Sequence, residues 1–223
     1  MTFSIAARCA ETGAFGVAIT SSSICVASRC AFVRAGTGAA LTQNITDPRL
    51  GPRALDLMAE GLSAGEALQQ IAAEAQNLAW RQLAAVDRTG GTAHYTGAKA
   101  LGTHAVAEGE GCIALGNLLA DPGVPRAMIT GFANAPGHLA LRLLIGLESG
   151  LAAGGEEGPV RSAGLMVAGR QPWPVVDLRV DWHDRPIAAL RALWTAYAPQ
   201  LDAYVIRALD PDSAPTFGVP GDL

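Results

Sequence analysis

Apolar and polar residues alternate from the start of the chain. Phe3, Ile5 and Ala7 interleave with Ser4, Ala6 and Arg8, and this period of two predicts a strand beginning essentially at Thr2. "ETGA" supplies a tight turn and Phe15 to Thr20 returns as a second strand, so a hairpin opens the chain. "SSSICVASRCAFVRAGTGAALTQ" continues in short apolar, β-branched pieces broken by Ser, Arg and Gly, with room for at least two more strands.

At "DPRLGPRALDLMAEG" the period lengthens. Pro52 suits a first helical turn, Leu55, Met58 and Ala59 share a face, and Gly61 can end the helix. "SAGE" reads as a capping box from Ser63 to Glu66 that opens a second helix through about Ala75. "RQLAAVDRTGGTAHYTG" returns to strands around a "DRTGG" turn, and "GCIALGNLL" is a further apolar strand. Val124 to Ala133 and His138 to Ser149 predict two more helices, the second with Ala140, Leu143, Leu144 and Leu147 on one face and Gly150 just past its end. "RSAGLMVAGR" and "VVDLRVDWH" make a closing strand pair, with Val176, Leu178, Val180 and Trp182 on one side of the latter. A last helical region starts near Pro186 and is broken or kinked at Pro199. Two blocks of strands, each followed by a helix pair, predict an α+β fold. A four-layer αββα sandwich accounts for this order and for strands that are apolar on both sides.

Composition narrows the function classes. The 223 residues show no break or long linker, so one domain over residues 1–223 is expected. Half of them are hydrophobic and the net charge is −4, carried with a single lysine, Lys99, and arginines scattered along the length. No basic stripe exists for nucleic acid. No run reaches the length of a membrane span, and the N-terminus lacks a charged region followed by an apolar one, which points to a soluble cytoplasmic protein. Cys9, Cys25, Cys30 and Cys112 have no paired spacing and read as buried free thiols. "GTGAA" lacks the setting of a dinucleotide site, and "GGEEGP" lacks the Lys-Ser/Thr of a phosphate loop, so no cofactor is expected. The apolar excess, with Leu139, Leu141 and Ile145 outside the main face of their helix, suggests a homodimer.

Several stretches carry a family resemblance in order and spacing: "TFSIAAR", "ETGAFGVAI", "RAGTGAALTQ", "GPRALDLMAEGLSAGEAL", "YTGAKALGTHAVAEGEGCIALGNLLA", "LLIGLESGLAAGGE" and "LRVDWHDRPIAALRALW". Together they resemble the bacterial domain-of-unknown-function family numbered ten-twenty-eight, from Thr2 to about Leu209. That family is similar in fold to the Ntn hydrolases, the N-terminal-nucleophile amidohydrolases, which implies the αββα sandwich. The chain departs from the family pattern in polar loops: Ala100 stands where a cysteine follows "TG", "GGD" reads "GGE" at Glu156, and Arg161 replaces a glutamine before Ser162.

The resemblance implies that Thr2, once Met1 is removed, serves as nucleophile with its own α-amine as base, since an α-amine titrates near pKa ~7.7–8.0. Ser21 and Ser22 would orient that amine as the other catalytic residues. Ser23, Arg34, Thr42, Gln43, Asn44, His104 and Asn117 are candidates for substrate binding, as donors and acceptors gathered at strand ends. The substrate implied is a small metabolite with an amide, amidine or imine C–N bond. The competing reading is a catalytically silent binding or assembly protein, in which Thr2 is an edge-strand threonine. Its motives are the retained Met1 and the lack of any lysine in the strands near Thr2. As an exposed strand-end residue, Thr2 is expected to contribute little to packing.

The remaining polar residues read as structural. His94 is a satisfied strand histidine, His138 a surface residue near a helix start, and Asp181 with His183 an ionic pair sharing a strand face but lacking a third metal ligand. Glu156, after "AAGG", is a loop anchor for backbone amides in preference to an acceptor for a substrate amine.

Overall fold

The computed structural model describes residues 1–216. Ten strands form two antiparallel sheets. The larger sheet contains β1 (Thr2–Arg8), β2 (Phe15–Ser21), β7 (Ala105–Gly109), β8 (Cys112–Asn117), β9 (Ser162–Ala168) and β10 (Pro174–Val180), in the order β10-β9-β2-β1-β8-β7. The smaller contains β3 (Ala31–Arg34), β4 (Gly38–Asn44), β5 (Arg81–Asp87) and β6 (Thr92–Thr96), in chain order.

Strand β1 is therefore central, held by β2 on one side and β8 on the other, and Thr2 is not an edge residue. Local alternation specifies a strand and its two faces but not its neighbours, so the edge position that the competing reading gives Thr2 is corrected by the pairing. Strand β7 has no signal in the alternation, because "AVAEG" is short and weakly apolar and owes its strand state to pairing with β8.

The helices are α1 (Ala27–Cys30), α2 (Leu50–Ala59), α3 (Ala64–Glu74), α4 (Val124–Asn134), α5 (Leu139–Ala152), α6 (Pro186–Tyr197) and α7 (Leu201–Leu209). The capping box of α3 is present, with the Ser63 hydroxyl accepting from the Glu66 amide and the Glu66 carboxylate accepting from the Ser63 amide. A 3-10 turn, Ala198–Gln200, separates α6 from α7 at Pro199. Helix α5 does not stop before Gly150 but runs to Ala152. A Cβ at Gly150 would meet Met128 Cγ at 2.6 Å and Phe3 Cε2 at 3.1 Å, so this glycine allows a close crossing with α4 and does not end the helix.

Three apolar clusters organise the packing. Ala6, Val17, Ile19, Ala39, Leu41, Ala84, Val86, Ile113 and Leu115 fill the space between the sheets. Alternate residues of the larger sheet, among them Phe3, Ile5, Ala114 and Leu165, pack with Met128, Leu143, Leu147 and Leu190 of α4, α5 and α6. Ala40, Leu83 and Ala85 turn the other way, toward Leu55, Met58, Leu68 and Ile71 of α2 and α3. Leu139 is buried and Leu141 packs against the same cluster as the main face of α5. The supposed second face of α5 is thus largely covered within the chain, which removes the motive for a dimer drawn from it.

The thiols of Cys9, Cys30 and Cys112 are free and buried, and that of Cys25 is free and half-buried. No helix among the described residues is long and apolar enough to cross a membrane.

Candidate functional site

At one end of the inter-sheet core the apolar rows give way to polar residues. Thr2 and Ser4 continue the row of Ala6; Ser21 continues Val17 and Ile19; Gln43 continues Ala39 and Leu41; Gln82 precedes Ala84; Asn117 follows Leu115. All six are buried, with Thr2 the most accessible at 5%. Such groups are tolerated in a core only when hydrogen-bonded to one another.

They form a chain of bonds whose direction is set by one backbone atom. Gln82 Nε2 donates to the Gly116 carbonyl at 3.0 Å. Because that carbonyl can only accept, Gln82 Oε1 must face the other way, where it accepts from Gln43 Nε2 at 2.8 Å and Asn117 Nδ2 at 3.1 Å. Gln43 Oε1 in turn accepts from the Ser4 hydroxyl at 2.6 Å. Asn117 Oδ1 is left buried without a partner among the described residues.

Thr2 lies directly across the β1–β8 ladder from Asn117. Its hydroxyl is 3.2 Å from Ser21 Oγ and 2.5 Å from the Met1 carbonyl, to which the Ser21 hydroxyl also donates. Ser21 Oγ accepts from the Ser23 amide at 3.1 Å, closing the turn after β2.

The next amide in that turn, Ser22 N–H, donates to Glu156 Oε2 at 3.2 Å. Gly154 and Gly155 carry φ of +117° and +61°, a conformation that only glycine adopts without strain. They turn the chain after α5 so that Glu156 bridges to Leu119, two residues past Asn117. Glu156 Oε1 is buried without a partner among the described residues. Burial pushes this carboxyl up to about 7, against the opposing pull of the Met1 α-amine and of the bond from Ser22.

Residues 2–190 match a family of unknown function, DUF1028. The chain belongs to that family. The crystal structure of a DUF1028 protein from Silicibacter pomeroyi is 31% identical, with 88% of this chain and 89% of that one aligned at a TM-score of 0.82. Two Anbu proteins (ancestral β-subunit) align more distantly. The one from Yersinia bercovieri is 11% identical, with 90% of this chain and 96% of that one covered at a TM-score of 0.41. The one from Hyphomicrobium sp. strain MC1, a Gly-1 mutant, is 12% identical, with coverages of 92% and 99% and the same TM-score of 0.41. These two scores are too low to bear on function. No curated protein matches the chain.

In this DUF1028 chain the structure gathers Thr2, Ser21, Ser22, Ser23, Gln43 and Asn117 at one end of the sheets, and adds Ser4, Gln82 and Glu156. Gln82 and Ser4 had a legible signal: each interrupts a strictly apolar row two residues from an alanine that faces the other sheet. Glu156 had none beyond the paired glycines before it.

Four other candidates have side chains engaged outside this network. Arg34 pairs with Gly38, at the opposite end of β4 from Asn44, and binds Asp56 at 2.8 Å on the surface. Thr42 shares the face of Ala40, toward the helices, and its hydroxyl donates to the Asp47 carbonyl. Asn44 uses its amide on loops, donating to Trp80 O and accepting from Leu101 N. His104 is exposed, its Nδ1 against the Gly102 carbonyl of its own turn.

Elsewhere, His94 is exposed on β6, and His138 caps α5 by accepting the Ala140 amide. Asp181 and His183 lie beyond the end of β10 and share no strand face. No group of three or more His, Cys, Asp or Glu among the described residues is arranged to hold a metal ion.

A cavity of about 830 Å³ lies elsewhere, between α2 and α3. Its charged walls pair among themselves or with a neighbour: Arg49 with Asp47, Arg53 with Glu74 and Asp56 with Arg34. The buried polar side chains gather instead around Thr2.

Proposed function

We propose that this chain is an Ntn-hydrolase-like four-layer αββα sandwich. In this reading Thr2, freed by removal of Met1, attacks a C–N bond of a small amide, amidine or imine. The observation that carries it is the Thr2 hydroxyl, buried beside Ser21 Oγ at 3.2 Å on a central strand at the polar end of the inter-sheet core. Removal of Met1 would release the Thr2 and Ser21 hydroxyls from its carbonyl and turn the Thr2 amide into an amine able to take the hydroxyl proton. The proton would pass to the leaving nitrogen, and water would then release the acyl group. Ser21 would hold the amine, and the Ser22 and Ser23 amides would keep the turn in place.

A silent binding protein is the second reading. It is favoured by Lys99, the one lysine of the sequence, whose ammonium is engaged over the Trp80 ring at 5.0 Å from its centre. Intact mass of natively expressed protein, followed by turnover of a panel of small amides and amidines by wild type and Thr2→Ala, separates the two. Loss of Met1 with activity abolished in Thr2→Ala supports the nucleophile. Complete retention of Met1, or equal activity in the variant, removes it.

A homodimer is also proposed, now resting on exposed Leu193, Ile206 and Leu209 of α6 and α7. Light scattering that gives twice the 22.9 kDa chain mass at micromolar concentration supports it, and a monomer mass refutes it.

A further inference from the structure

Gly158 has an open face that a single side chain covers. A Cβ added there would lie 3.3 Å from Met1 Cε and 3.6 Å from Met1 Sδ, and apart from its two chain neighbours no other described residue has an atom within 4 Å of that point. Gly158 does not carry the left-handed φ of Gly154 and Gly155, so its backbone would accept other residues. What the glycine supplies is room, and Met1 fills it. The strip that holds Gly158 is anchored just before it: Glu156 bridges to Leu119, the Glu157 amide donates to the Leu118 carbonyl at 3.0 Å, and Glu156 Oε2 accepts from the Ser22 amide.

The other end of Met1 is bound as well. Its carbonyl accepts from the hydroxyls of Thr2 and Ser21. Half-buried, Met1 is thus an acyl group held at both ends, with its carbonyl at the candidate nucleophile and its thioether on Gly158. Its removal frees both hydroxyls and uncovers the glycine.

We propose that the acyl part of the substrate takes the place of Met1, as an unbranched apolar chain of methionyl length whose end lies on Gly158. The proposal rests on the reading in which Met1 leaves Thr2 as the first residue, and it names the substrate class. It does not require turnover.

The fit argues for an unbranched chain. At 3.3 Å from Met1 Cε, an added methyl on Gly158 would already be inside the ~3.5–4.0 Å at which carbon atoms pack best. The chain therefore uses the space that the glycine leaves, and a branch on that side has no room. The thioether is a flexible, apolar filler that a straight alkyl chain can replace.

Ligand-observed NMR titration of the full chain beginning at Thr2, released from an N-terminal fusion, tests this. The probes are hexanamide, whose alkyl chain matches methionyl in length, and acetamide, which lacks that chain. Hexanamide is expected to bind at least tenfold more tightly than acetamide, a gain that burial of about two methylenes supplies. The same protein with Met1 retained is expected to bind hexanamide at least tenfold more weakly, because methionyl holds the place. Gly158→Val is expected to lose tenfold or more for hexanamide with acetamide unchanged. A variant that fails to fold loses both amides, and the comparison with and without Met1, which needs no substitution at Gly158, then decides. Ammonia released in the same samples reports on the Thr2 nucleophile alone, so binding without ammonia removes the turnover and keeps the subsite. No binding of hexanamide, equal affinity for the two amides, equal hexanamide affinity with and without Met1, or equal hexanamide affinity of wild type and Gly158→Val overturns the proposal.

Discussion

Gln82 reaches across the space between the two sheets and donates to the Gly116 carbonyl at 3.0 Å, so one side chain both joins the sheets and orients every amide around Thr2. Its removal should be felt well beyond its own bond. Gln82→Leu leaves the Gly116 carbonyl, Gln43 Nε2 and Asn117 Nδ2 without their partner in a buried setting. Each such orphan costs about 1–3 kcal/mol, and a total loss of about 3 kcal/mol or more is expected. Urea denaturation at neutral pH measures it, and a loss under about 1 kcal/mol would mean that water replaces the network.

Thr2 is buried, which overturns the expectation that it contributes little to packing. Thr2→Ala removes the hydroxyl that contacts Ser21 and the Met1 carbonyl, and should cost about 1–2 kcal/mol. Thr2→Ser keeps the hydroxyl and should lie within about 1 kcal/mol of the wild type by the same denaturation assay. Activity comparisons between these variants must therefore be made well below their melting temperatures.

Stability should fall as pH rises through neutrality because of Glu156. Its carboxyl ionises near 4.5 in an ordinary setting and near 7 when folded. Below the lower value both states hold the proton and the contribution is complete. Between the two, only the folded chain keeps it; as pH rises through about 7 the contribution is lost. Glu156→Gln carries no such proton, so relative to the wild type it should gain up to about 3 kcal/mol between pH 4 and pH 8. Paired denaturation curves at those two pH values test the sign, and a flat difference would place the carboxyl at its ordinary value.

Two glycines should respond oppositely to alanine. Gly150→Ala drives a methyl into Met128 and Phe3 and is expected to cost about 1–3 kcal/mol. Gly65, exposed in the first turn of α3, has only Ser63 Oγ at 4.0 Å beyond its added carbon. There alanine should stabilise by up to about 1 kcal/mol. Thermal melts of both variants decide it, and equal shifts would mean that the α4–α5 crossing relaxes freely.

The sequence by itself determined whatever depends on neighbours along the chain. The alternation of Phe3, Ile5 and Ala7, the capping box at Ser63, the "DRTGG" turn and the break at Pro199 are local chemistry, and each was legible. So was the gathering of Thr2 with Ser21 and Asn117, because polar residues ending apolar strands share an end if their sheets do. Tertiary structure alone decided which strands became neighbours, and with that the rest of the site. Pairing placed β1 in the centre of its sheet and buried Thr2; register sent Arg34 to the far end of β4; side-chain parity turned Thr42 toward the helices and Gln43 toward Ser4. Gly150 looked like a helix stop because a missing side chain reads alike whether it relieves backbone strain or admits another helix. Glu156 met Ser22 from 134 residues away. No local period encodes a contact of that length, because it is set by how the sheets and helices bury their apolar faces together.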